Sequence, residues 1–136
     1  MHPDWAHLNA PSIDALEALA RAAFEILPEE LRRLCDGVIF RVEEFPDEAV
    51  MKEMELESEF DLLGLFTGVG LPAMGAGPMT GQLPNTVYLY RRPILDYWAE
   101  YDETLGHLVA HVLIHEIGHH LGLSDQQLEA IEAKVA

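Results

Sequence analysis

The chain has 136 residues, with 24 acidic against 8 basic side chains and a formal net charge of −16. That length suits one domain, residues 1–136, around one core, and the 49% apolar, 24% charged composition excludes general disorder. So acidic a chain lacks the basic clusters that nucleic acids and anionic membranes require, and its single Cys35 permits no internal disulfide.

No apolar run reaches the roughly 18 residues of a membrane span. The N-terminal MHPDWAHLNAPS has neither the charged nor the apolar block of a signal peptide. The expected setting is therefore the reducing cytoplasm. Ser12 is placed to cap a helix over SIDALEALARAAFEIL, with Ile13, Leu16, Leu19, Ala20, Ala23, Phe24 and Leu27 in one apolar stripe. Pro28 suits the first turn of a second helix, EELRRLC, which Gly37 ends. GVIFRVEEFP reads as a strand closed by Pro46. Glu43 to Asp61 holds nine acids and one base, Lys52. That run predicts a solvated face with a short helix around DEAVMKEMEL, or an acidic surface that attracts basic peptides.

LLGLF reads as a second strand. The glycine- and proline-rich segment 68–84 follows as a loop, either covering a cleft or merely connecting. It lacks both GK[ST] and G-x-G-x-x-G, so it is no phosphate loop. NTVYLYRRP is the best strand pattern, with Val87, Leu89 and Arg91 on one face and Tyr88 and Tyr90 on the other. Pro93 suggests an edge strand or a strand end. A short helix is expected around ILDYWAEYD, then a long one over TLGHLVAHVLIHEIGHHLG and a last one over SDQQLEAIEAKVA.

Five of the seven histidines lie between His107 and His120. His115 and His119 are four apart, so on a helix they share a face about 6 Å apart in rise. Two imidazoles so placed reach one zinc at about 2.0–2.1 Å. Glu116 lies about 100° around from His115, beside the metal, where a carboxylate takes a proton from water. This is the H-E-x-x-H arrangement of zinc hydrolases. Gly122 suits a left-handed turn that reverses the chain, and Asp125 then falls where it can return as third ligand. A His₂Asp set keeps one coordination position open. Asp125 has a rival role, because Ser124 and Gln127 read as a capping box and make Asp125 a first-turn acid. His111, one turn before His115, is a packed or supporting histidine or a fourth ligand. His107 and His120 are expected to be structural or exposed, and Cys35 a small buried hydrophobe.

HEIGHHLGLSD resembles the metzincin zinc-binding consensus with aspartate as third ligand. Together with VEEFPD, LGLFTGVGLP and NTVYLYRRPI, it makes most of the chain similar to the small bacterial minimal zincins, described as zinc metallopeptidases. The resemblance implies an α+β, zincin-like (metzincin-like) fold: a small mixed sheet packed on the HExxH helix, with an edge strand at the rim of a cleft. It also implies Zn2+ held by His115, His119 and Asp125, with Glu116 as general base. Full metzincins continue into a lower subdomain with a methionine-containing turn. Here every methionine precedes the motif, so that subdomain is expected to be missing or reduced.

The expected activity is zinc-dependent hydrolysis of peptide bonds. Zinc would polarise the carbonyl and acidify water while Glu116 takes the proton and passes it to the leaving amine. An extended peptide or protein substrate, basic where the acidic surface attracts it, would align against VYLYR. Tyr88, Tyr90 and Tyr101 are oxyanion candidates by type. Two other classes stay open: a non-catalytic zinc-binding or interaction module, and a metal-dependent endoribonuclease. Glu116, Asp125 and the acidic balance point away from the ribonuclease.

Overall fold

The structure is a computed structural model that describes residues 5–68 and 85–135. Most of the glycine-rich segment, and with it any role over a cleft, lies outside the described residues. A short 3-10 turn (Trp5–His7) precedes α1 (Ile13–Glu25), where the Ser12 hydroxyl accepts the Ala15 N–H at 3.1 Å, as its cap position predicts. Leu16, Ala20 and Ala23 form its buried stripe. In α2 (Glu29–Leu34), Pro28 sits at the cap itself, one position earlier than a first-turn proline.

Strand β1 (Ile39–Glu43) leads to α3 (Glu48–Glu53), capped by Asp47, whose Oδ1 accepts Val50 N–H at 2.8 Å. Most of the acids of this region are exposed, as both readings of the run require. Glu44 is engaged instead, 3.0 Å from Arg91 and 3.5 Å from Arg92.

Strands β2 (Gly64–Thr67) and β3 (Thr86–Tyr90) complete a sheet of order β1-β3-β2, with β1 parallel and β2 antiparallel to β3. The edge position expected for β3 is therefore corrected: it is the central strand, paired on both sides. Pro93 does not argue otherwise, because the strand has ended by Tyr90. It is the third residue of α4 (Arg91–Glu100), where a missing N–H costs no helical bond. For the same reason Arg91 leaves the strand face. Its guanidinium reaches Pro11 O at 2.7 Å and Glu44 at 3.0 Å.

Register partners share a sheet face, so Phe40, Val42, Gly64, Phe66, Val87 and Leu89 form the inner face. Against it pack α1 and α5 (Leu105–His120), the latter capped by Thr104. Leu108, Val109, Val112, Leu113, Ile114 and Ile117 carry α5 through the centre of the core. Gly122, with φ +76°, stops α5: Leu123 N–H donates to Gly118 O at 2.9 Å and Gly122 N–H to His119 O at 3.2 Å. The chain then enters α6 (Asp125–Val135), which folds back on α5. Among the described residues no helix is long and apolar enough to cross a membrane.

Two buried acids set the alkaline behaviour. Burial pushes the Cys35 thiol from 9.0 up to about 11 and raises the Tyr90 phenol as well. Each folded-state value lies above the unfolded one, so the stability Cys35 contributes is full below pH about 9 and is lost as pH rises through about 11, while that of Tyr90 is lost at higher pH. The urea midpoint should therefore fall between pH 9 and 11, and Cys35→Ala should flatten part of that fall. A flat wild-type profile would contradict the burial argument.

Candidate metal centre

The last two turns of α5 face both the sheet and α6. His115 is half-buried and His119 exposed, their ring centroids 5.7 Å apart and nearly perpendicular. The structure thus brings the two motif histidines together on consecutive turns. Burial, with the neighbouring His111 and His119, holds the His115 pKa below its usual value, while Glu132 and Asp125 oppose the shift. A neutral imidazole is the form that ligates a metal.

Glu116 turns towards β2. Its carboxylate accepts the backbone N–H of Phe66, and burial nevertheless raises its pKa above the ordinary value against the pull of His119 and of that hydrogen bond. The close approach depends on Gly64. A Cβ there would lie 2.7 Å from Val112 Cγ1, 3.1 Å from Tyr88 O and 3.4 Å from Glu116 Cγ. Gly64→Ala should cost about 1–3 kcal/mol by overpacking, measured by urea unfolding. An unchanged midpoint would show that β2 moves away from α5 freely.

Asp125 is the exposed first residue of α6, near enough for its charge to act on His115. The capping box next to it also forms: Gln127 N–H donates to Ser124 Oγ at 3.1 Å, and Ser124 N–H to Gln127 Oε1 at 2.9 Å. Capping by Ser124 leaves the Asp125 carboxylate uncommitted to the helix end.

The remaining histidines separate. His120 stacks on Phe66 with centroids 4.0 Å apart, a packed histidine whose pKa burial lowers. His107 contacts Glu103 at 3.3 Å at the exposed start of α5. His111 does not stand apart. Its ring lies 4.1 Å from that of His115 and its Nδ1 contacts Glu132 of α6. Glu132 Oε1 is also 3.5 Å from His115 Nε2.

Glu132 escaped the sequence reading because it lies 17 residues beyond His115, outside any local motif. One signal could have found it: it falls four residues after the buried Leu128, on the inward face of α6, where an apolar residue is expected. Of the oxyanion candidates, Tyr88 and Tyr90 stack on each other with centroids 6.2 Å apart, and neither shares the sheet face of Gly64 and Phe66. Tyr101 stands exposed at the end of α4.

A zinc-class cation fits what is present. Imidazole nitrogens and carboxylate oxygens are its usual donors. In addition, the buried Glu132 Oε1 has no hydrogen bond of acceptable geometry, a costly state that a cation would relieve.

A family model described as zincin-like metallopeptidase matches residues 35–135, a range that holds β1, β2 and β3 and the helices from α3 to α6. Comparison with curated proteins gives no match.

Proposed function

Because the chain belongs to the zincin-like metallopeptidase family, we propose that it hydrolyses peptide bonds at a zinc centre on α5. His115 and His119 hold the metal with Asp125 as third ligand, and Glu116 is the general base. Bound there, zinc supplies Lewis acidity that polarises a peptide carbonyl and lowers the pKa of water towards neutrality.

The observation that carries this reading is the placement of Glu116. It stands between the imidazole-bearing turns of α5 and strand β2, steadied by the Phe66 N–H. Burial moves its pKa upward, the direction that strengthens a carboxylate as a general base. Glu116 takes a proton from water at the site and returns it to the departing amine.

The substrate strand runs along β2, not along VYLYR. Among the described residues β3 is paired on both sides, whereas β2 pairs with β3 alone. Leu65 and Thr67 spend their peptide groups on β3, so those of Gly64 face outward, where an extended peptide can add. The exposed acids of α3 and the segment after it lead directly into β2 and favour basic peptides.

The test is digestion of an unbiased peptide library by zinc-loaded protein, with and without a chelator. Chelator-sensitive cleavage enriched near Lys and Arg supports the proposal. A zinc-loaded protein that cleaves nothing would leave a binding module instead.

A further inference from the structure

The donor group that the fold itself gathers differs from the motif set. One ligand atom each from His111, His115 and Glu132 lie within 4.8 Å of one another. We propose that these three residues form a second position for a divalent cation of the zinc class, one helical turn before the motif set and sharing His115 with it. The inference rests on the metal-binding part of the proposed function and is independent of peptide hydrolysis.

His111 and His115 repeat the four-residue spacing of the motif pair, so their imidazoles also rise from consecutive turns of one face. Their rings approach to 4.1 Å, closer than the 5.7 Å between His115 and His119. The carboxylate comes from α6, which runs antiparallel to α5: Leu128 packs at Gly118, and Glu132, one turn on, arrives at His115 and His111. Ligands about 2.0–2.1 Å from a tetrahedral zinc are about 3.4 Å from one another. The 3.5 Å between His115 Nε2 and Glu132 Oε1 matches that edge.

Glu132 also gives a reason for a cation rather than a plain ion pair. Its Oε1 is closed to water and contacts His111 Nδ1 without the geometry of a hydrogen bond. A cation between the three groups would separate those two atoms and satisfy both. Three protein ligands leave a fourth position free, and His111 and Glu132 line a cleft of about 360 Å³ with Ile114 and Thr104.

Sharing His115 has a consequence. The nitrogen of His115 that faces Glu132 is Nε2. A motif metal that takes the same nitrogen is excluded while a cation sits on Glu132 and His111, because one ring nitrogen holds one metal.

The test separates the sets by removing the motif ligands. His119→Ala combined with Asp125→Asn changes two exposed side chains, and zinc binding is followed by competition with a chromophoric chelator and by visible absorption of the cobalt derivative. The double variant should still bind one equivalent. Adding Glu132→Gln or, independently, His111→Asn should then weaken binding more than about a hundredfold, beyond what losing an outer-shell partner causes. The His111 side chain is 46% exposed, so His111→Asn guards against a folding defect in Glu132→Gln. A folded double variant that binds no zinc overturns the proposal. So does a double variant whose binding neither added change weakens. Wild-type protein that takes up no zinc overturns this inference and the motif site together, whereas zinc uptake without peptide cleavage removes only the peptidase reading.

Discussion

Glu116→Gln should lower peptide cleavage by about 10²–10⁴-fold while leaving zinc content unchanged, the range associated with removing a positioned general base. Glutamine has nearly the shape of glutamate and keeps an oxygen for the Phe66 N–H, so the contact between α5 and β2 survives. What it loses is the ability to hold a proton in transit. A partly buried carboxylate with a raised pKa is also the group whose neutral replacement the fold tolerates best, because burial already disfavours its charge. Thermal stability should therefore be equal or slightly higher. The measurement pairs initial rates on a library-derived peptide with metal analysis of the same preparations. Equal cleavage by variant and wild type would sink the role assigned to Glu116. Loss of zinc along with activity would make Glu116 part of the metal-holding set instead.

The second large effect concerns the contact that aims α6. Leu128 is fully buried, and a Cβ on Gly118 would overlap its side chain. Leu128→Ala should cost about 2–5 kcal/mol as a cavity-forming change, lowering Tm on the order of 10 °C. Gly118→Ala alone should also destabilise. Its gain of roughly 1 kcal/mol in helix propensity is outweighed by about 1–3 kcal/mol of overpacking, because the obstructing leucine has no exposed side to move into.

In the Leu128→Ala background the obstruction is gone, and Gly118→Ala should become stabilising. That reversal of sign, read from urea midpoints of the four proteins, is the signature of direct contact. Additive effects would show that α6 is not held at this point. Function enters because α6 carries Asp125 and Glu132 towards His115. The single variants should therefore also loosen zinc binding.

Much of the fold was legible because its signals are local. Ser12 announced α1 through a hydroxyl within reach of an N–H three residues on, and Ser124 with Gln127 announced α6 in the same way. Gly122 ended α5 because a left-handed residue closes the last carbonyls with the next two N–H groups. The His115 and His119 pair was readable because helical geometry makes four-residue neighbours spatial neighbours whatever surrounds them.

The place of β3 was not legible. Alternation in NTVYLYRRP identifies a strand, and Pro93 correctly marks that it ends, but which strands flank it depends on segments distant in the chain.

The sequence by itself determined that the helices exist, the caps of α1 and α6, the stop of α5, the glutamate beside the paired histidines and the resemblance to zincins, since each is written within a dozen residues and obeys short-range geometry. Only the tertiary structure decided that β2 is the strand lying against Glu116, and that Glu132 meets His111 and His115. Both depend on how closely two elements approach, at Gly64 in one case and at Gly118 under Leu128 in the other. Packing between surfaces brought together from far along the chain sets that distance, and no local pattern encodes it.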